Sequence, residues 1–199
     1  MENHTTKSER RAKNGRAGRW RSTVGSQLIE FAMVLPLLAV MVVGVSDFAA
    51  GFALKDKLAN AARDGARILV SLPNDADNPQ CGATPCSVEE GAGAIVTYLA
   101  NAHVSACGLS PWSSSPAAGP GAFTWTYTSG TSGCTAAWSI KIEREVPVVS
   151  GSVTLLCTRV TLSYPFAWNF GHIIKLLAPS PGYPAVLTLT SQETMQNQN

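Results

Sequence analysis

The sequence predicts an α+β protein with one long N-terminal helix, a second short helix and then a small antiparallel sheet. An apolar run from Leu28 to Leu54 continues as an amphipathic pattern up to Leu72. A second helical pattern begins near Ser87. From residue 122 onward, runs of alternating Thr, Val, Ile, Leu and aromatic residues are typical of strands. Helix signals that precede strand signals indicate an α+β rather than an alternating α/β arrangement.

The apolar run is long enough to cross a membrane. The sixteen residues between Glu30 and Asp47 carry no charge. At ~1.5 Å rise per residue, Ser26 to Asp47 covers about 30 Å, the thickness of the hydrocarbon core of a bilayer. Pro36 lies inside the run, where a membrane helix tolerates proline with a local kink. Residues 26–72 are therefore predicted to form one helix, with a transmembrane half and an amphipathic half.

The amphipathic half carries an apolar stripe at helical spacing, and Pro73 is expected to end the helix. The other faces of this half hold charged and polar residues. We expect the stripe to pack under a globular head formed by residues 73–199. Its members are Leu54, Leu58, Ala61, Ala62, Gly65, Ile68 and Leu69.

The elements of the head follow from local signals. Ser87-Val-Glu-Glu90 fits a capping box and predicts a helix from there to about His103. The turn-rich segments 74–85 and 110–121 predict loops. Strands are predicted at residues 122–128, 137–145, 153–164 and 185–190.

The second predicted strand indicates a sheet with one solvated face. Its polar residues alternate with apolar ones, apart from a slip at Arg144. Close spacing of the four runs makes antiparallel pairing the expected arrangement.

The formal net charge of +2 is unevenly distributed. Residues 1–25 contain seven Lys or Arg residues and two Glu residues, a net of +5, which leaves −3 for the remainder. This basic segment is predicted to be a cytoplasmic leader, with the head on the other side of the membrane, because positive charge favours the cytoplasmic side. The competing interpretation, a nucleic-acid contact, is disfavoured because no basic surface with interspersed aromatic residues follows.

All five cysteines follow the apolar run: Cys81, Cys86, Cys107, Cys134 and Cys157. This distribution suits an oxidising compartment, in which disulfides persist. Their spacing completes no zinc pattern, and no metal is expected. At least one disulfide is predicted; Cys81–Cys86 is the pair nearest in sequence, and Cys107–Cys134 would stabilise more if it forms. The odd number leaves at least one thiol free or bonded to another chain.

The sequence contains none of the common catalytic motifs. It lacks G-x-S-x-G, a Walker loop, H-E-x-x-H and a dinucleotide fingerprint. Glu143 and Glu145 lie two residues apart on a predicted strand, a spacing more typical of a solvated sheet face than of an acid/base pair. We therefore expect no enzymatic activity and no cofactor.

The most informative motif, Gly25-Ser26-Gln27-Leu28-Ile29-Glu30-Phe31, lies at the boundary between the basic segment and the apolar run. A carboxylate at the centre of a membrane helix costs about 2.5–3.5 kcal/mol, and less near the edge, so Glu30 is a functional candidate. The motif resembles the prepilin peptidase site of type IV-like pilins. In that site, cleavage follows the glycine and a glutamate stands at position five of the mature chain.

The wider stretch from Gly25 to Arg67 resembles the TadE-like proteins of tight-adherence (Tad) pilus systems. The resemblance implies a single-pass minor pilin or pseudopilin of the bacterial inner membrane that takes part in assembling, priming or capping the pilus. The implied partners are the lipid membrane, a prepilin peptidase, other pilins and the assembly platform; Glu30 and Phe31 would be assembly residues. The resemblance rests on Glu30-Phe31-Ala32, Leu35-Pro36, Asp47-Phe48 and Ala61-Ala62-Arg63-Asp64-Gly65-Ala66-Arg67.

An ordinary secretory signal is the competing interpretation of the N-terminus. Gly44-Val-Ser46 fits a small-x-small cleavage site, which would give a mature chain that begins at Asp47. The alternative function is thus an exported or membrane-tethered binding module outside any pilus. The long basic segment and Glu30 at the start of the apolar run argue against it.

Overall fold

The computed structural model describes residues 21–73, 81, 84–111, 117–118, 123–168 and 186–197. Its two helices and antiparallel sheet confirm the predicted α+β class. The chain divides into two compact units, Met1–Val42 and Val43–Asn199. The leader expected at residues 1–25 falls mostly outside the described residues, and the boundaries expected at residues 25 and 72 remain predictions.

Helix α1 (Arg21–Ser71) contains the apolar run and ends two residues before Pro73. In the first unit, every described side chain from Gly25 to Ala39 is exposed, although most of them are apolar. The most apolar window of the helix has a mean hydropathy of 2.5 and no buried residue. By length and composition, α1 can therefore cross a membrane once.

The sheet is antiparallel throughout, and each strand pairs with the strands that precede and follow it in the sequence. Four strands overlap the predicted runs, and β1 lies in a segment predicted as loop. Strands β3, β4 and β5 extend beyond their predicted ends because cross-strand pairing continues there. The strands are β1 (Ala117–Ala118), β2 (Thr124–Thr128), β3 (Ser139–Ser150), β4 (Val153–Ala167) and β5 (Val186–Gln196).

The slip in the alternation of β3 is a β-bulge. The register with β4 shifts between Glu143 and Val146, and Glu145 has a φ of 57°. Arg144 lies two residues after Ile142 and four after Ile140, whose side chains face the core, and its own side chain is buried as well. A bulge re-aims side chains locally, so that a charged residue occupies a core position here without breaking the strand.

Helix α2 (Cys86–Asn101) lacks the predicted capping box. Pro85 is the N-cap, and no side chain caps the helix. The hydroxyl of Ser87 instead accepts a hydrogen bond of 2.8 Å from Nη1 of Arg144. The prediction was wrong because the helix begins one residue earlier, at Cys86, so Ser87 lies inside the helix and its hydroxyl contacts Arg144. The helix also ends at Asn101, before the predicted end at His103.

The core of the second unit lies between the sheet and the two helices. Ile140, Ile142, Val160 and Leu162 of the sheet are fully buried, as is nearly all of Trp138. On α1, the inward stripe has zero exposure at five positions: Leu58, Ala61, Ala62, Ala66 and Leu69. The predicted packing of the amphipathic half under the head is thus observed.

Glycines permit the close approach of α1 and α2. A Cβ atom added to Gly65 would lie 2.6 Å from Cδ1 of Ile95, and one added to Gly91 would lie 2.5 Å from Cγ of Leu69. Both distances are far shorter than a van der Waals contact between carbon atoms. Each helix therefore accommodates an aliphatic side chain of the other directly above a glycine.

Gly65→Ala is expected to lower the free energy of unfolding by about 1–3 kcal/mol relative to Gly51→Ala, because added bulk in a packed interior costs about that much. Gly51 is a matched control: both glycines lie inside α1, so both variants gain the same helix propensity. A Cβ at Gly51 would meet Phe166 at an ordinary 3.6 Å. Urea unfolding of the detergent-solubilised chain, followed by tryptophan fluorescence, measures the difference; equal stability would contradict the packing argument.

Candidate membrane-anchor and assembly site

The boundary motif lies within the first turns of α1. Gly25 is the fifth residue of the helix, and a Cβ added to it would meet no other part of the described residues within 4 Å beyond the helix's own backbone. Ser26 and Glu30 are one helical turn apart, and Oγ of Ser26 donates a hydrogen bond of 3.4 Å to Oε1 of Glu30. Phe31 is 61% exposed. The structure therefore places the four predicted site residues on one accessible stretch of helix.

The segment Ala61–Arg67 separates into an inward and an outward set. Ala61, Ala62, Gly65 and Ala66 are buried against the head, whereas Arg63, Asp64 and Arg67 are exposed. The small residues are the ones that allow α2 to approach. Much of this motif is therefore required for attachment of the head to α1.

Two charged residues of α1 reach the rest of the head. Nζ of Lys57 donates a hydrogen bond of 2.8 Å to the carbonyl oxygen of Ala102, directly after the end of α2. A cation at this position also interacts favourably with the helix dipole. Nη2 of Arg63 lies 3.4 Å from Oε1 of Glu193 on β5, but this pair is partly exposed and contributes little stability.

Several residues that attach the head to α1 were not predicted from the sequence. Gly91 belongs to the run Gly91-Ala-Gly-Ala94, and such a cluster of small residues in a helix was a usable signal for close packing. Lys57 and Arg144 carried no such signal, because each contacts a group far away in the sequence: the Ala102 carbonyl and the Ser87 hydroxyl.

The four candidate disulfide cysteines are paired in the structure. Cys81 and Cys86, whose Cα atoms are 5.0 Å apart, form a bridge at the start of α2. Cys107 and Cys134, with Cα atoms 5.6 Å apart, join the segment after α2 to the β2–β3 connection. Cys157 on β4 is a buried free thiol.

Within the described residues, no three His, Cys, Asp or Glu side chains are close enough to hold a metal ion. Burial, and secondarily the nearby Glu89 carboxylate, raises the pKa of Tyr127 to about 12. The phenol therefore stays neutral at physiological pH, which fits its position in the core.

Residues 25–67 match the sequence model of the TadE-like protein family. The match is consistent with a TadE-like protein of the Tad pilus system, and it extends from the boundary motif through the apolar run to the inward stripe under the head. Comparison with curated proteins and with solved structures finds no match. The family assignment thus concerns α1, and the sheet and α2 lie outside it.

Removal of the Cys107–Cys134 bridge is expected to destabilise the head more than removal of the Cys81–Cys86 bridge. Chain-entropy estimates are about 3.5 kcal/mol for the long loop and about 2 kcal/mol for the short one. The sequence separations behind these estimates are 27 and 5 residues. Paired Cys→Ser variants, compared by urea unfolding under non-reducing conditions, measure the two effects. A larger loss from the short loop would contradict the estimate, and non-reducing peptide mapping checks the pairing itself.

Proposed function

We propose that the chain is a minor pilin or pseudopilin of a Tad pilus, anchored in the bacterial inner membrane by α1. The observation that carries the proposal is the TadE-like match, which begins at Gly25 and includes Glu30. The basic N-terminal segment remains cytoplasmic and the head lies outside, by the charge rule for membrane helices. Its role is to build, prime or cap the fibre together with other pilins and the assembly platform.

In this proposal, a prepilin peptidase cleaves between Gly25 and Ser26. The bond lies close to the start of α1, where a helix frays most easily. A glycine in a helix interior lowers helix stability by about 1 kcal/mol relative to alanine, which further favours local opening. Since no atom of the described residues lies within 4 Å of a Cβ built on Gly25, a larger side chain there leaves their packing unchanged. Effects of substitution at Gly25 therefore report on the peptidase.

Gly25→Leu is expected to abolish leader removal when the chain is co-expressed with a prepilin peptidase. Leu28→Ile, a change three residues along in the same helix, serves as the control and should be processed normally. Mass spectrometry of the mature N-terminus measures the outcome. Ser26 as the first residue supports the proposal, and normal processing of Gly25→Leu would contradict it. A mature chain that begins at Asp47 would indicate the alternative, an exported binding module.

Cleavage would create a charge pair from residues that the helix already holds together. The new α-amino group of Ser26 is positively charged at neutral pH. The Glu30 carboxylate lies one turn away and already accepts the hydrogen bond from the Ser26 hydroxyl. Each charge is costly alone among apolar helices, and pairing offsets part of that cost. In an assembly, the carboxylate of one subunit can pair with the amine of its neighbour and so define the axial register.

Glu30→Ala is expected to leave leader removal and head folding intact while it reduces co-assembly with other pilins. Glu30→Gln keeps the size and hydrogen bonding of the side chain without its charge, so it should be nearly as defective if the ion pair is what matters. Co-purification with partner pilins and counts of assembled fibres provide the measurement. Fibres and partner recovery at wild-type levels in both variants would show that Glu30 has no role in assembly.

A further inference from the structure

Aromatic side chains from α1 and from the end of β4 lie together in the second unit. The ring of Trp168, directly after β4, packs edge-on against Phe48 at 5.4 Å and against Phe166 at 5.1 Å between centroids. Phe52 lies one turn after Phe48 on α1, and the Phe166 ring contacts Gly51. We refer to Phe48, Phe52, Phe166 and Trp168 as the aromatic cluster.

The cluster is only partly covered by protein. Phe48 is 58% exposed and Phe52 is 67% exposed. Leu187, the β5 partner of Phe166 in the sheet register, is also exposed. Full burial of one such side chain is worth about 1.5–3 kcal/mol. Several large apolar residues exposed at one end of the sheet therefore indicate a surface that meets an apolar medium or partner.

The order of residues along α1 points to a bilayer interface. Phe48, Phe52 and Lys55 are spaced by four and three residues and lie on one face, directly after the apolar run. Tryptophan, the residue type of Trp168, is enriched at the headgroup level of membranes, and a lysine just beyond the phenylalanines can reach lipid phosphates. The neighbouring face of the helix, which includes Asp47, Gly51 and Leu58, is buried in the head.

We propose that the aromatic cluster lies in the headgroup layer of the bilayer that α1 crosses, and so holds the end of β4 at the membrane surface. This inference rests on the membrane-anchoring part of the proposed function and not on pilus assembly. Lipid is favoured as the occupant because the exposed phenylalanines continue the apolar run of α1 without an intervening charged residue on their face.

A second exposed apolar surface lacks this continuity and provides a control. Val149 and Val153 flank the β3–β4 turn and are 72% and 55% exposed. At about 3.3 Å per residue, Val153 and Trp168 are about 50 Å apart along the direction of β4. The two surfaces therefore lie at opposite ends of one strand, and a single bilayer surface can cover only the aromatic one.

The test uses the full chain reconstituted at low density in phosphatidylcholine/phosphatidylglycerol vesicles whose acyl chains carry bromine near the headgroups. Bromine quenches tryptophan fluorescence at short range. A Trp20→Phe/Trp112→Phe background removes the two tryptophans that lie outside the described residues. Trp125 and Trp138 are buried in the core and should contribute little. Trp168→Phe is expected to lower the quenching by about twofold or more, since an interfacial indole lies beside the bromines.

Matched double variants then test the surface. Phe48→Ser/Phe52→Ser should reduce the quenching of Trp168, whereas Val149→Ser/Val153→Ser should leave it unchanged. Equal quenching with and without Trp168 would overturn the proposal. Quenching that appears only after dilution of the protein would overturn it as well, because a second copy would then be the covering partner.

Flotation of the same vesicles shows whether a negative result contradicts only the inference about the aromatic cluster or also the membrane anchor. If the chain floats with the lipid but Trp168 is not quenched, the inference about the aromatic cluster is wrong and the membrane anchor stands. If the chain does not float, the membrane anchor itself, and with it the proposed function, is wrong.

Discussion

The close approach of α1 and α2 is the interaction on which the rest of the head depends. Gly65 and Gly91 leave no side chain between the helices at two points, and Ile95 and Leu69 fill the space above them. These aliphatic residues belong to the same core as the inward residues of the sheet. An increase in the distance between the helices would therefore also open the helix–sheet contacts, because close-packed interiors transmit small displacements.

Helix α2 depends on its surroundings at both ends. Its N-terminus has no side-chain cap, a loss worth about 1 kcal/mol in an isolated helix. The Cys81–Cys86 bridge and the hydrogen bond from Arg144 to Ser87 constrain that end instead. At the other end, Lys57 of α1 bonds the carbonyl of Ala102. Contacts outside the helix thus take the place of a side-chain cap at the N-terminus. At the C-terminus, local backbone bonds from His103 and Val104 to the carbonyls of Ala100 and Leu99 close the last turn, and Lys57 adds to them.

Periodicity predicted most of the fold, and long-range contacts account for the errors. The apolar stripe of α1 and the alternation around Ile140 are local patterns, so the elements and their inward faces could be identified from the sequence. The predicted capping box was wrong because the helix begins at Cys86, before Ser87. The predicted strand ends were wrong because the pairing partners in the sheet determine where each strand ends. The boundary motif around Gly25 was also local and therefore visible. The contact between Phe48 and Trp168 joins distant segments and has no local signature.

The family match covers the part of α1 on which the proposed function places most of its requirements. In the proposed function, membrane insertion needs a long apolar run, the boundary motif needs a carboxylate five residues after the glycine, and head attachment needs small residues at fixed spacing. All three fall within residues 25–67. The sheet needs only an apolar inner face, and many sequences satisfy that by alternation alone. The matched segment ends at residue 67, four residues before α1 does, so Gly91 and the disulfide cysteines, which the head also requires by position, lie outside it.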